Sequence, residues 1–168
     1  MTPFNQFTTK AKDAIRKAHE LVMERGQNHV GPIHLLAALI LQEESMVVSI
    51  LDKMEVDVIL LTDSLFEAME GTVSGGVAAA SYQIFITPDL AHVIENSSKI
   101  AQSMNDEFVS TEHLFLSCLE APSQAKDILT RFKIEKEKVL FLIQEIKQGR
   151  MTADGGSQKN KTLIKYTR

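Results

Sequence analysis

Tryptophan is absent from this chain of 168 residues, and only one cysteine, four prolines and eight glycines occur. The lone Cys118 cannot close an internal disulfide, so nothing marks an oxidising compartment. So few turn-forming residues, with aromatics at 6%, argue against a many-turned β-sandwich. No apolar run approaches the roughly 18 residues of a membrane-spanning helix. The opening Met1-Thr-Pro-Phe-Asn-Gln-Phe has no basic stretch followed by an apolar one, so no secretory signal is read there and the cytoplasm is expected. Against these shortages stand a hydrophobic content of 44%, a charged content of 24% and a mean hydropathy of −0.04, ordinary globular values. Leu, Ile, Ala, Glu and Lys dominate, and they favour helices. The fold expected is all-α.

Charge is unevenly spread. Residues 1–149 hold 13 Lys/Arg against 21 Asp/Glu, a net of −8, whereas residues 150–168 hold five Lys/Arg against Asp154 alone, a net of +4. An acidic body argues against nucleic acid, because neutralised phosphates would supply most of such affinity. No nucleic-acid or membrane partner is expected.

The sequence repeats itself. Thr8 precedes a helical stripe of Ala11, Ala14, Ile15, Ala18, Leu21 and Val22, and Thr87, 79 residues later, precedes Leu90, Val93, Ile94, Ser97, Ile100 and Ala101 at the same spacing. Both threonines suit an N-cap, and Pro88 suits a first helical position. At the same offset Val30-Gly31-Pro32-Ile33-His34-Leu35-Leu36 aligns with Val109-Ser110-Thr111-Glu112-His113-Leu114-Phe115. After a one-residue gap the offset is 78, pairing Ile50-Leu51 with Ile128-Leu129 and Gly71 with Gly149, where glycine is a natural helix stop. Each copy reads as four helices: 8–25, 32–42, 45–54 and 57–70, then 87–104, 111–120, 123–132 and 135–148. The organisation expected is a first repeat over 4–71, a linker over 72–86, a second repeat over 87–149 and a flexible linker over 150–168. The last residues, from Thr162 to Arg168, begin a new pattern, which suits either an excised piece of a longer protein or a natural tail.

Catalytic chemistry finds no support. Cys118 lies in an apolar helical stretch, where a small buried hydrophobe is the expected role. The five histidines form no i, i+4 pair and no HExxH, and no Gly-Lys-Ser/Thr follows Gly75-Gly76 or Gly155-Gly156. No catalytic, metal or cofactor residue is expected. His34 and His113, at matching positions, read as packed histidines that fix the corner from loop to helix.

Two copies of a Thr-led helix, a Val-Gly/Ser-x-x-His-Leu-Leu/Phe corner and an Ile-Leu helix resemble the duplicated N-terminal domain of the Clp/Hsp100 unfoldases, over residues 4–149. The resemblance implies two pseudo-symmetric four-helix Clp repeats. It also implies a domain that captures unfolded or aggregated polypeptide, or an adaptor, above a homohexameric ATPase ring; ATP and magnesium would belong to that missing ring. Among the branches the ClpB-type disaggregases fit best, from Phe7-Thr8, the run Asn105-Asp106-Glu107-Phe108-Val109-Ser110-Thr111-Glu112 (Asn105 standing where the pattern has Gly) and Lys165-Tyr166. The ClpC/ClpA type comes second, because its carboxylate corner is present at Glu112 but replaced by Ile33 in the first copy. A stand-alone Clp-repeat binding module is the further alternative. By resemblance the substrate-binding residues fall on Thr8, Asp106 and Glu112. Each also has a structural reading, as N-cap, turn residue and first-turn carboxylate. A capture surface needs exposed apolar groups too, for which Leu90, Ala91 and Ile94 on the second opening helix are candidates, with adaptable methionines such as Met46, Met54, Met69 and Met104, although at helical spacing such residues are more often simply core.

Overall fold

Eight helices and two short strands form among the residues that the computed structural model of the chain describes, 6–42, 45–71 and 84–155. In order they are α1 (Thr9–Glu24), β1 (His29–Val30), α2 (Pro32–Leu41), α3 (Met46–Lys53), α4 (Val58–Gly71), β2 (Phe85–Ile86), α5 (Pro88–Ser103), α6 (Thr111–Glu120), α7 (Gln124–Arg131) and α8 (Lys136–Gly155). The all-α class and the double four-helix arrangement expected from the sequence are what the structure has. The first repeat's opening residues 4 and 5, most of the expected linker (72–83) and the end of the last segment (156–168) lie outside the described residues.

The helices start and stop where local chemistry dictates. Thr8 and Thr87 cap α1 and α5, each oxygen accepting from a backbone N–H three residues on, Ala11 and Leu90, at 3.1 Å. Ser45 and Ser123, 78 residues apart, do the same for α3 and α7. Four helices end alike: α1, α3, α5 and α7 are each followed by a left-handed residue, Gly26, Glu55, Asn105 and Lys133, with φ of 70°, 61°, 62° and 61°. The next N–H then reaches back to the carbonyl five residues earlier, from Gln27 to Val22, Val56 to Leu51, Asp106 to Ala101 and Ile134 to Leu129, at 2.9–3.1 Å. This is the Schellman arrangement.

The core is built on α2 and α6. Both are buried almost all round, over Pro32 to Ile40 and Thr111 to Leu119, because their sequences offer no polar stripe to water. α1 packs on α2 and α5 on α6, while α2 and α6 touch each other across the repeats. The two repeats therefore share one core, and the first repeat together with α5, α6 and α7 of the second falls in one compact unit, Met1–Lys136. The second unit, Glu137–Arg168, contains the rest of α8.

Strand pairing interlocks the repeats. Phe7 makes a parallel bridge with Val109, through Thr8 N–H to Val109 O and Val109 N–H to Gln6 O, both 2.9 Å. At the equivalent place, β2 pairs in parallel with β1, through Thr87 N–H to Val30 O at 3.0 Å and Phe85 N–H to Asn28 O at 2.8 Å. Each repeat thus lends its entry strand to the other's corner. Two boundaries differ from the sequence reading. Phe85 and Ile86, assigned to the linker, form β2, because pairing with the first repeat fixes them. α8 continues past Gly149 to Gly155, since one glycine weakens a helix by only about 1 kcal/mol and need not end it.

Candidate functional site

The Phe7–Val109 bridge brings the first residues of one repeat to the corner of the other, and that corner carries the carboxylates. Asp106 follows the left-handed Asn105, so the Schellman turn holds its backbone and aims its side chain at α6. There Ser110 N–H donates to His113 Nδ1 at 2.9 Å, which leaves the ring proton on Nε2; Asp106 Oδ2 accepts it at 2.8 Å. His113 is thereby held by both nitrogens. Glu112 sits in the first turn of α6, where the helix dipole favours a carboxylate. It is only 7% exposed. Thr8, half-buried, joins this corner through its N–H bond to Val109. Thr8, about a hundred residues away in sequence, therefore belongs to the same locality as Asp106 and Glu112.

The equivalent corner of the first repeat has the same backbone and different chemistry. Gly31 N–H donates to His34 Nδ1 at 2.9 Å. Gln27 stands where Asp106 does, but its amide donates to Met69 O at 3.1 Å. His34 Nε2, buried, has no hydrogen-bond partner. Burial, with a small contribution from Arg25 and despite the Gly31 bond, pushes the His34 pKa down to about 4. Ile33 stands where Glu112 does, so this position supplies no carboxylate to the first corner.

The expected apolar candidates divide. Leu90 is 1% exposed and is removed from the surface: the stripe it shares with Val93, Ile100 and Ala101 is the face α5 packs inward. Ile94 is half-buried and Ala91 exposed. Met46 and Met69 are core residues, not adaptable surface. The apolar side chain that the acidic corner does expose is Phe108, at 52%. In the sequence Phe108 stands out only as part of the 105–112 run, because a turn has no periodicity from which the exposure of one aromatic can be read. Burial pushes the Cys118 thiol up to about 12, so it is an inert core group. Among the described residues no three ligating side chains converge on a metal position, and no single helix is long and apolar enough to cross a membrane.

Comparison with known proteins agrees with this architecture. Residues 6–132 match the family described as the Clp repeat N-terminal domain. The chaperone protein ClpB of Bacillus cereus is 28% identical over 170 residues, covering 98% of this chain and 19% of its own length. The chain thus spans about a fifth of the curated relatives it matches. Among solved structures, the Hsp104 N-terminal domain from Candida albicans superposes with a TM-score of 0.69 at 21% identity, covering 80% of this chain and 86% of that one. A ClpV N-domain in complex with a VipB peptide gives 0.64 at 19% identity, covering 81% and 83%.

Proposed function

The chain belongs to the Clp repeat N-terminal domain family, and from that premise we propose that it is the polypeptide-capturing domain of an ATP-driven unfoldase of the ClpB type. It would take hold of unfolded or aggregated segments and present them to a homohexameric ring for threading. The domain itself is non-catalytic. ATP and magnesium do not fit these residues: the chain has no phosphate-cradling Gly-Lys-Ser/Thr loop, and the described residues hold no ligand cluster. They would belong to the remainder of a longer protein.

One observation carries the reading. The Phe7–Val109 bridge brings Thr8 to the corner whose residues 106–112 include Asp106 and Glu112, and Phe108, beside Val109, is 52% exposed, which supports a surface with an apolar contact next to hydrogen-bonding groups. Weak binding of many sequences requires that mixture. Asp106 and Phe108 would meet the chain being captured, Thr8 would frame the edge, and the buried Glu112 would act from behind.

The test is binding of a chemically unfolded model protein to Asp106→Asn and Phe108→Ser variants, with melting followed in parallel. Weakened binding at an unchanged melting temperature supports the proposal; unchanged binding by both variants removes it. Docking of an adaptor at the same corner is a second reading, favoured by the ClpV neighbour whose described complex is with a peptide. A folded adaptor fragment competing with the unfolded protein would support it.

A further inference from the structure

Away from the corner, α4 is sharply two-faced. Leu61, Leu65 and Met69 form its inward stripe and are fully buried. At 100° per residue the opposite stripe holds Ile59, Asp63, Glu67 and Glu70, with Leu60 at its margin. Ile59 is 76% exposed and Leu60 55%, and the three acidic side chains are exposed as well.

Charge on this element has one sign. Residues 55–71 contain Glu55, Asp57, Asp63, Glu67 and Glu70 and no Lys or Arg. Asp57 caps the helix, its Oδ1 accepting from Leu60 N–H at 3.1 Å. Glu70 faces Arg25 at 3.7 Å, and that guanidinium also lies 4.9 Å from the Phe66 ring. Asp63 and Glu67 have no cationic partner among the described residues. They stand four apart, the spacing at which like charges weaken a helix. The outer face of α1 is built the other way: Arg16 pairs with Asp13 and Lys17 with Glu20.

A single exposed apolar residue needs no explanation, but two adjacent ones beside unneutralised carboxylates make a surface that water and salt do not optimise. We propose that the outward face of α4 docks a Lys/Arg-rich amphipathic segment of a partner polypeptide, its apolar residues resting on Ile59 and Leu60 and its cations on Asp63 and Glu67. Charge complementarity selects this occupant. A second copy would set acid against acid on the same face, and phosphate backbones or anionic membranes would be repelled.

The probe is a synthetic Lys/Leu amphipathic helix of about 14 residues, matched to the length of α4, titrated into the full chain. The expected result is binding that weakens severalfold between about 50 and about 300 mM salt, with amide shifts clustered on α4. Replacing Asp63 and Glu67 by Lys lowers affinity roughly tenfold. Replacing Ile59 and Leu60 by Ser lowers it too, with no change in melting temperature because all four side chains face solvent. The proposal is overturned if both double variants bind as the parent does, if a Glu/Leu peptide binds equally well, or if the shifts centre on Asp106 and Phe108. It is also overturned if the chain self-associates through Ile59, which would make the occupant a second copy.

Discussion

His34 and His113 occupy one position in two repeats and differ in what meets the far side of the ring. His113 donates to Asp106, whereas His34 Nε2 is buried and unpaired because Gln27 turns to the end of α4. A histidine held at about 4 when folded and at about 6.5 when unfolded binds fewer protons in the native state between those values. Its contribution to stability is therefore complete above about pH 6.5 and is lost as pH falls towards 4, about 3 kcal/mol in all. The direct check is the NMR titration of the His34 ring, whose midpoint is expected near 4. Gln27→Asp copies the second corner. A carboxylate that reaches Nε2–H should raise that midpoint by roughly 1 pH unit or more; an unchanged midpoint would show that the first corner's backbone does not aim it. The two histidines and their shared corner were legible from the 79-residue spacing. The unpaired nitrogen was not, because it depends on where one glutamine amide points, and sequence spacing holds no information on that.

At the scale of elements, capping did most of the work that made the helices readable. Thr8, Thr87, Ser45 and Ser123 each supply an oxygen at a helix start, and the observed starts lie within a residue of those expected. Thr8→Ala and Thr87→Ala should each cost about 1 kcal/mol in urea unfolding, and similar values for the two would mark the equivalence of the repeats. The helix ends carry a second test. A Cβ added at Gly26 meets nothing within 4 Å, so Gly26→Ala is opposed only by its φ of 70° and should destabilise by about 1 kcal/mol. Lys133→Gly, which relieves the same strain, should be neutral or stabilising, and a clear loss of stability would contradict the strain argument. Sequence reasoning faltered where the deciding contacts are remote. Two-residue strands show no periodicity, so β1 and β2 left no trace, and the stripe bearing Leu90, though its spacing favours a core face, is not fixed as one until a partner helix is placed on it.

For the whole molecule the deciding feature is the exchange of entry strands. A duplicated sequence suggests two small domains of about 65 residues, a size that buries only about 60% of its unfolded surface and is marginal alone. Here each copy completes its corner with a strand from the other, and α2 lies against α6, so neither copy encloses its own core. The chain should therefore unfold in one cooperative transition, with heat and urea reporting the same midpoint by helix content and by histidine resonances. Cutting the backbone within 72–83 sharpens the test, because that cut severs no pairing described here. The nicked protein should remain associated and keep its helix content. Its two pieces, separated in denaturant and refolded apart, should show little cooperative melting, and remixing them should restore it. If either piece alone melted as sharply as the intact chain, the repeats would be independent domains and the exchanged strands only a clasp between them. The capture corner is subject to the same logic. Thr8 comes from one repeat and Asp106, Phe108 and Glu112 from the other, so the separated pieces should fail to bind an unfolded chain and the remixed pair should recover that binding together with the melting transition.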